Sequence, residues 1–151
     1  MSLIAGFNSA KDLLMKLKRD AELLDEQVTS DRFFNFVVTG YSLIDWVNKD
    51  PAIPLAAQTA TQSLYNDKWL QVCGDLATAS KHFTLTTRVL VTASANPQQG
   101  FGVGRFGKGG WGEGEEHIEV KLNDGTVFSG LDLVRGVLQS WDQFFANHGL
   151  L

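Results

Sequence analysis

The stretch from Asp67 to Phe83 constrains this chain most, because it carries two stripes of side chains at helical spacing. The first stripe is largely apolar and recurs at steps of three and four residues, as on one face of an α-helix: Trp69, Val72, Cys73, Leu76, Ser80 and Phe83. The second lies about 120° away and is polar: Lys68, Gln71, Asp75, Thr78 and His82. We therefore predict one continuous helix that faces a core on one side and a polar groove on the other.

Three further segments have helical patterns. Residues 9–28 begin with Ser9 and, three residues later, an acid, which is typical of a helix N-terminus. Residues 31–48, with Asp31 as the predicted cap, are apolar on nearly every side, which is typical of a helix buried by several neighbours; a strand is conceivable, but the length favours helix. Residues 129–147 form the last predicted helix, and 56–65 a weaker helix or loop.

Period-two alternation predicts strands over 83–93 and 117–122, and the turn residues Asn123-Asp124-Gly125 lead into a third strand at 126–128. We therefore predict a single domain over 1–151 of the mainly α (α+β) class. In it, an up-and-down four-helix bundle has a three-stranded antiparallel β-sheet inserted before the last helix.

Residues 94–114 hold eight glycines, and 102–107 formally match the dinucleotide-binding fingerprint. The match is weak because no helix follows and no βαβ unit surrounds it. We favour a flexible linker over an arm that contacts nucleic acid through Phe101, Phe106 and Trp111.

Composition restricts the function classes. The net charge of −4 in 151 residues argues against nonspecific nucleic-acid binding. Cys73 is the only cysteine, which excludes an intrachain disulfide and a thiolate metal cluster, and its place on the apolar stripe predicts burial. No secretion signal and no apolar run of membrane-spanning length is present, so we expect a cytoplasmic protein without membrane contact. We expect neither a metal nor a cofactor.

The polar residues of the two central helices are the candidate site. On the second helix they are Asn35, Thr39, Ser42 and Asp45, and buried polar groups need partners. We favour Asp45 as a residue that caps or pairs near its helix end, with a functional role as the alternative. Asp75 and His82 stand about 10.5 Å apart along a helix axis, so they could contact one extended ligand or a second copy of the chain. His82 either caps the helix C-terminus or transfers a proton.

Two blocks, FFNFVVTGYSLIDWV (33–47) and LQVCGDLATASKHF (70–83), resemble small bacterial and phage-type proteins that are similar to the HEPN helical bundles. Many HEPN proteins are metal-independent ribonucleases or toxin components that use an Arg and a His on a late helix. By this resemblance His82 matches the His, while Asp75, Leu76 and Ala77 stand where the Arg would be. The resemblance therefore implies a non-catalytic relative.

Two functions follow as hypotheses. The first is a non-catalytic binding or interaction module of HEPN-like type. It would bind a second copy of itself or another protein through a polar groove between the second and third main helices. Its binding residues would be Asp45, Ser42, Asn35, Thr78 and Lys81. The alternative is a metal-independent, RNA-directed nuclease or toxin-like protein that uses His82 with Asp75 or Asp45.

Overall fold

The computed structural model describes residues 3–82, 88–98 and 116–151. Within these ranges the chain is mainly helical with one three-stranded antiparallel sheet, which confirms the predicted class. The helices are α1 (Ala10–Glu26), α2 (Ser30–Lys49), α3 (Leu55–Ala60), a 3-10 helix (Thr61–Asn66), α4 (Lys68–Ala79) and α5 (Gly130–Asn147). The strands are β1 (Thr92–Gln98), β2 (His117–Leu122) and β3 (Val127–Ser129).

Helix starts follow the local capping chemistry. The Ser9 hydroxyl accepts a hydrogen bond from the Asp12 amide at 3.1 Å, and Ser129 and Asp132 form a reciprocal capping box at the start of α5. The prediction that Asp31 caps α2 is wrong, because the Thr29 hydroxyl accepts from the Arg32 amide at 3.1 Å and Asp31 lies within the first turn. Side-chain caps thus set the first residue of each of these helices.

The prediction that α4 continues to Phe83 is wrong, since the helix ends at Ala79. The amides of Lys81 and His82 both donate to the Thr78 carbonyl, at 3.1 and 3.2 Å, and so close a final turn. The Ser80 hydroxyl also donates to the Ala77 carbonyl. His82 therefore follows the helix instead of continuing its polar stripe.

Gly40 is a position on α2 that side chains from three other helices approach closely. A Cβ atom there would lie 3.2 Å from Cys73 Sγ, 3.2 Å from Val137 Cγ1 and 3.4 Å from Leu17 Cδ1. The Trp141 indole N–H donates to the Gly40 carbonyl at 2.9 Å. Side chains from α1, α4 and α5 thus meet on one residue of α2, and they have room there because glycine has no side chain.

The sheet has the order β1-β2-β3, and both pairs are antiparallel. The second strand is as predicted, and the third lies one residue later than predicted. The predicted strand over 83–93 is wrong for 88–91, which are not strand, while 94–98 of the predicted linker belong to β1. Residues 83–87 and 99–115, including the fingerprint match, lie outside the described residues.

Among the described helices, none has the length and apolar character that crossing a bilayer requires.

Candidate functional site

Asp75 is buried, with a side chain that is 3% exposed, and both of its carboxylate oxygens are occupied. Oδ1 accepts from Arg88 Nε at 2.6 Å. Oδ2 accepts from the backbone amides of Val91 at 2.9 Å and Thr92 at 3.0 Å. One α4 side chain thereby holds the segment that enters β1, and we call this set of contacts the Asp75 anchor.

Arg88 fills the space between α2 and α4 in which a polar groove was predicted. Its Nη1 donates to Tyr41 Oη at 3.1 Å, and its Nη2 donates to the Gln71 carbonyl at 3.3 Å. The guanidinium carbon lies 5.4 Å from the centre of the Tyr41 ring. Gly74 makes the room, since a Cβ there would lie 2.6 Å from both Arg88 Nη2 and Tyr41 Cε2.

The surroundings of Arg88 and of the nearby Tyr65 favour the protonated form of each side chain. Burial acts to lower the pKa of Arg88, but hydrogen bonds to Asp75 and Tyr41 outweigh it, so this pKa lies above its ordinary value. Burial, followed by the nearby Tyr41 and Asp45, raises the pKa of Tyr65. Neither Arg88 nor Tyr65 is therefore set up to act as a general base.

The candidate catalytic residues do not share a cleft. Asp75 is enclosed in its anchor, whereas His82 is exposed beyond the end of α4. The Asp45 side chain is 62% exposed and pairs with Lys49 at 2.7 Å, one turn along α2. Asp45, Asp75 and His82 do not converge in one cleft, because Asp75 is used inside the fold while the other two face outward.

The candidate binding residues differ in their exposure. Asn35 and Lys81 are exposed, Ser42 is half-buried, and the Thr78 hydroxyl donates to the Gly74 carbonyl of its own helix at 2.7 Å. The assignment of these residues to one binding site stays a prediction.

Thr39, the most buried polar residue of α2, faces α1. Its hydroxyl accepts from Lys16 Nζ at 2.9 Å and lies 3.2 Å from Asp20 Oδ2, while Lys16 and Asp20 pair at 2.6 Å. The hydroxyl also lies 2.9 Å from the Asn35 carbonyl. The buried Thr39 hydroxyl thus obtains partners from α1 and from its own helix.

A surface cleft of about 300 Å³ lies between α2, the end of α4 and the sheet. Its lining is mostly apolar, and we call it the apolar cleft; it includes Phe34, Val37, Leu76, Ala79, Pro97 and Ile118. Ser30 and Ser80 lie at its α2 and α4 sides. Sequence reasoning missed the cleft because it requires the position of β1. The sequence offered one signal, since Phe34 belongs to a helix that is apolar all round and cannot bury every side. In the structure Phe34 is 49% exposed.

A second cleft, of about 190 Å³, lies near the start of α1 and the end of α2. Its two acids are Asp45, which pairs with Lys49, and Asp50. Asp50 Oδ2 accepts from the Ala10 amide at 2.8 Å and Oδ1 from the Ala52 amide at 2.9 Å. Asp50 therefore ties two chain segments together, and we assign no ligand to this cleft.

Cys73 is fully buried, as predicted, and its thiol donates to the Val37 carbonyl at 3.3 Å. Burial raises the pKa of this thiol, so it is not available as a thiolate nucleophile near neutral pH. Within residues 3–82, 88–98 and 116–151, no group of three or more His, Cys, Asp or Glu side chains is placed to hold a metal ion.

No protein-family model matches the chain, and no curated protein and no solved structure is significantly similar to it. The resemblance to HEPN bundles stays a prediction.

Proposed function

We propose that this chain is a non-catalytic binding module of HEPN-like helical type, and that a protein partner docks in the apolar cleft. The observation that carries the proposal is the Asp75 anchor, because it commits the central acid of the candidate site to the fold. The apolar cleft then offers the better surface for a partner.

The proposal includes an up-and-down bundle of the four long helices. The helices α1, α2, α4 and α5 pack against one another in that ring order, and α2 also contacts α5 across the ring. The N-terminal half of α2 and the C-terminal part of α4 line the same cleft, which supports an antiparallel arrangement of these two helices. Such a bundle exposes helix faces at its surface, where a partner can bind without a catalytic centre.

The proposed absence of catalysis rests on the requirements for proton transfer, which the candidate residues do not meet. A general acid or base must reach the substrate and must be free to exchange a proton. Asp75 meets neither condition, since its two oxygens already accept three hydrogen bonds and its side chain is 3% exposed. His82 is exposed, and no hydrogen bond from a described residue orients its side chain for proton transfer.

The size and lining of the apolar cleft suit side chains of a protein. A volume of about 300 Å³ stands at the lower end of the range of small-molecule pockets, which is about 300–1,000 Å³. Its lining offers few groups that would orient a polar ligand. Apolar or aromatic side chains of a partner are therefore the occupants that match it best.

An RNA-cleavage assay without metal tests the first half of the proposal. We expect no cleavage by the purified protein, and the same result for His82→Ala. Cleavage by the wild type that is lost in His82→Ala would overturn the non-catalytic assignment in favour of the nuclease alternative.

Binding of the apolar dye ANS tests the second half. Ala79 is exposed and lines the cleft, so Ala79→Phe fills the cleft without disturbing the core. We expect this variant to bind less dye than the wild type. The matched control is Ala146→Phe, at an exposed position of α5 outside the cleft lining. Equal dye binding by the wild type and Ala79→Phe would contradict the role of the cleft.

A further inference from the structure

We infer that the partner in the apolar cleft is a second copy of this chain, related to the first by a two-fold axis that runs along the cleft between its α2 and α4 sides. The inference rests on the proposed binding role of the cleft and adds the identity of the occupant. A two-fold interface must be self-complementary, so that each side of the cleft meets the opposite side of the other copy.

The shape of the two sides meets this requirement. Phe34 projects from the α2 side with 49% of its surface exposed, and it is the large exposed apolar residue of the cleft. On the α4 side stands Ala79, a small exposed residue, next to Leu76. The two-fold axis places Phe34 of one copy over Ala79 and Leu76 of the other, which puts a large side chain against a small one in both halves of the interface.

The charges at the two sides are also complementary. On the α2 side, Asp31 is exposed next to Ser30, and the Glu116 carboxylate binds the Ser30 hydroxyl at 2.6 Å. The cation of this side, Arg32, donates instead to carbonyls at the end of α1. On the α4 side, the exposed Lys81 follows Ser80.

The same symmetry brings Lys81 of each copy opposite the acids of the other copy, so the contact between opposite charges occurs twice in the interface. Opposite charges at a rim favour encounter and fix orientation, and salt screens them. Because Phe34 is the single large exposed apolar side chain among the described residues that line the cleft, we expect a dimer that dissociates on dilution and weakens in high salt.

Analytical ultracentrifugation of the full chain over a wide concentration range tests the inference. We expect the mass of the wild type to rise towards that of a dimer. Phe34→Asp should raise the dissociation constant at least about tenfold, since it places a charge in the apolar contact. The matched control is Leu55→Asp, which places the same charge at a residue that is 75% exposed and lies outside the cleft; it should leave the constant unchanged. Circular dichroism confirms that each variant is folded.

Exchanging the charges of Lys81 and Asp31 tests how the two copies are oriented, and it changes only exposed side chains. Lys81→Asp and Asp31→Lys should each weaken the dimer, and the double variant should recover the affinity because the pair is restored with reversed signs. A double variant weaker than both single variants would overturn the arrangement.

A wild type that stays monomeric at every concentration would overturn the inference as a whole. That result would leave the dye experiment with Ala79→Phe to decide separately whether the cleft binds apolar groups at all.

Discussion

Replacing Asp75 by alanine should destabilise the protein more than any other single carboxylate change at the residues discussed here. The substitution removes the acceptor of Arg88 Nε and of two backbone amides, those of Val91 and Thr92. Breaking a buried ion pair by removing one partner costs about 3–5 kcal/mol. An unsatisfied buried amide adds about 1–3 kcal/mol.

These contributions do not simply add. The Arg88 side chain is 27% exposed and Val91 is half-buried, so water reaches two of the three donors, while Thr92 is buried. We therefore expect a loss of about 3–4 kcal/mol in the free energy of unfolding. A domain of ordinary stability, about 5–15 kcal/mol, would remain folded but become much more sensitive to denaturant.

Urea unfolding followed by tryptophan fluorescence measures this loss. The matched control is Asp45→Ala, which makes the same change in an exposed pair with Lys49 and should cost less than about 1 kcal/mol. In a double-mutant cycle, Asp75→Ala and Arg88→Ala should show a coupling energy of about 1–3 kcal/mol. If Asp75→Ala costs no more than Asp45→Ala, the assignment of the anchor as a stabilising element is refuted.

Three further predictions use other parts of the molecule. Gly136→Ala should destabilise by about 1–3 kcal/mol in urea unfolding, because its Cβ would overlap the Trp69 indole; in a Trp69→Ala background the same change should stabilise, through helix propensity. The Cys73 thiol should resist alkylation at pH 8 in the folded protein and react in urea, as mass spectrometry can show, since burial raises its pKa. Backbone amide hydrogen bonds are the largest cause of the lowered pKa of both Asp12 and Asp124, so NMR titration should place both midpoints below 3.8. Because these pKa values are depressed in the folded state, the stability they contribute is present above about pH 4 and is lost as the pH falls through the folded values.

Features that depend on a few neighbouring residues could be predicted from the sequence. The start of α5 needs only Ser129 and Asp132, which bond each other reciprocally. The turn before β3 needs Gly125, whose φ of +90° is unfavourable for other residues. The burial of Cys73 followed from its position on one helical stripe. In each case the interaction that decides the structure lies within one or two turns of chain.

The position of β1 could not be predicted in this way. Alternation over 83–93 marks residues that suit a strand, but pairing depends on what each backbone amide binds. The amides of Val91 and Thr92 bind the Asp75 carboxylate, and the described strand begins only at Thr92. Its far end pairs Pro97 with Ile118 of β2, a contact that local alternation does not specify.

The candidate site shows the same limit in chemical terms. Helical spacing identifies side chains that share a face, but it does not say what that face meets. On α4 the polar face meets Arg88, which comes from beyond the helix and converts an apparent active-site acid into an internal anchor. On α2 the buried Thr39 meets Lys16 of α1. A buried polar residue in a small helical protein is therefore first evidence of a tertiary contact. Here the surface that we propose for a partner is the apolar cleft, and Phe34, which belongs to a hydrophobic run yet is 49% exposed, is the residue that points to it.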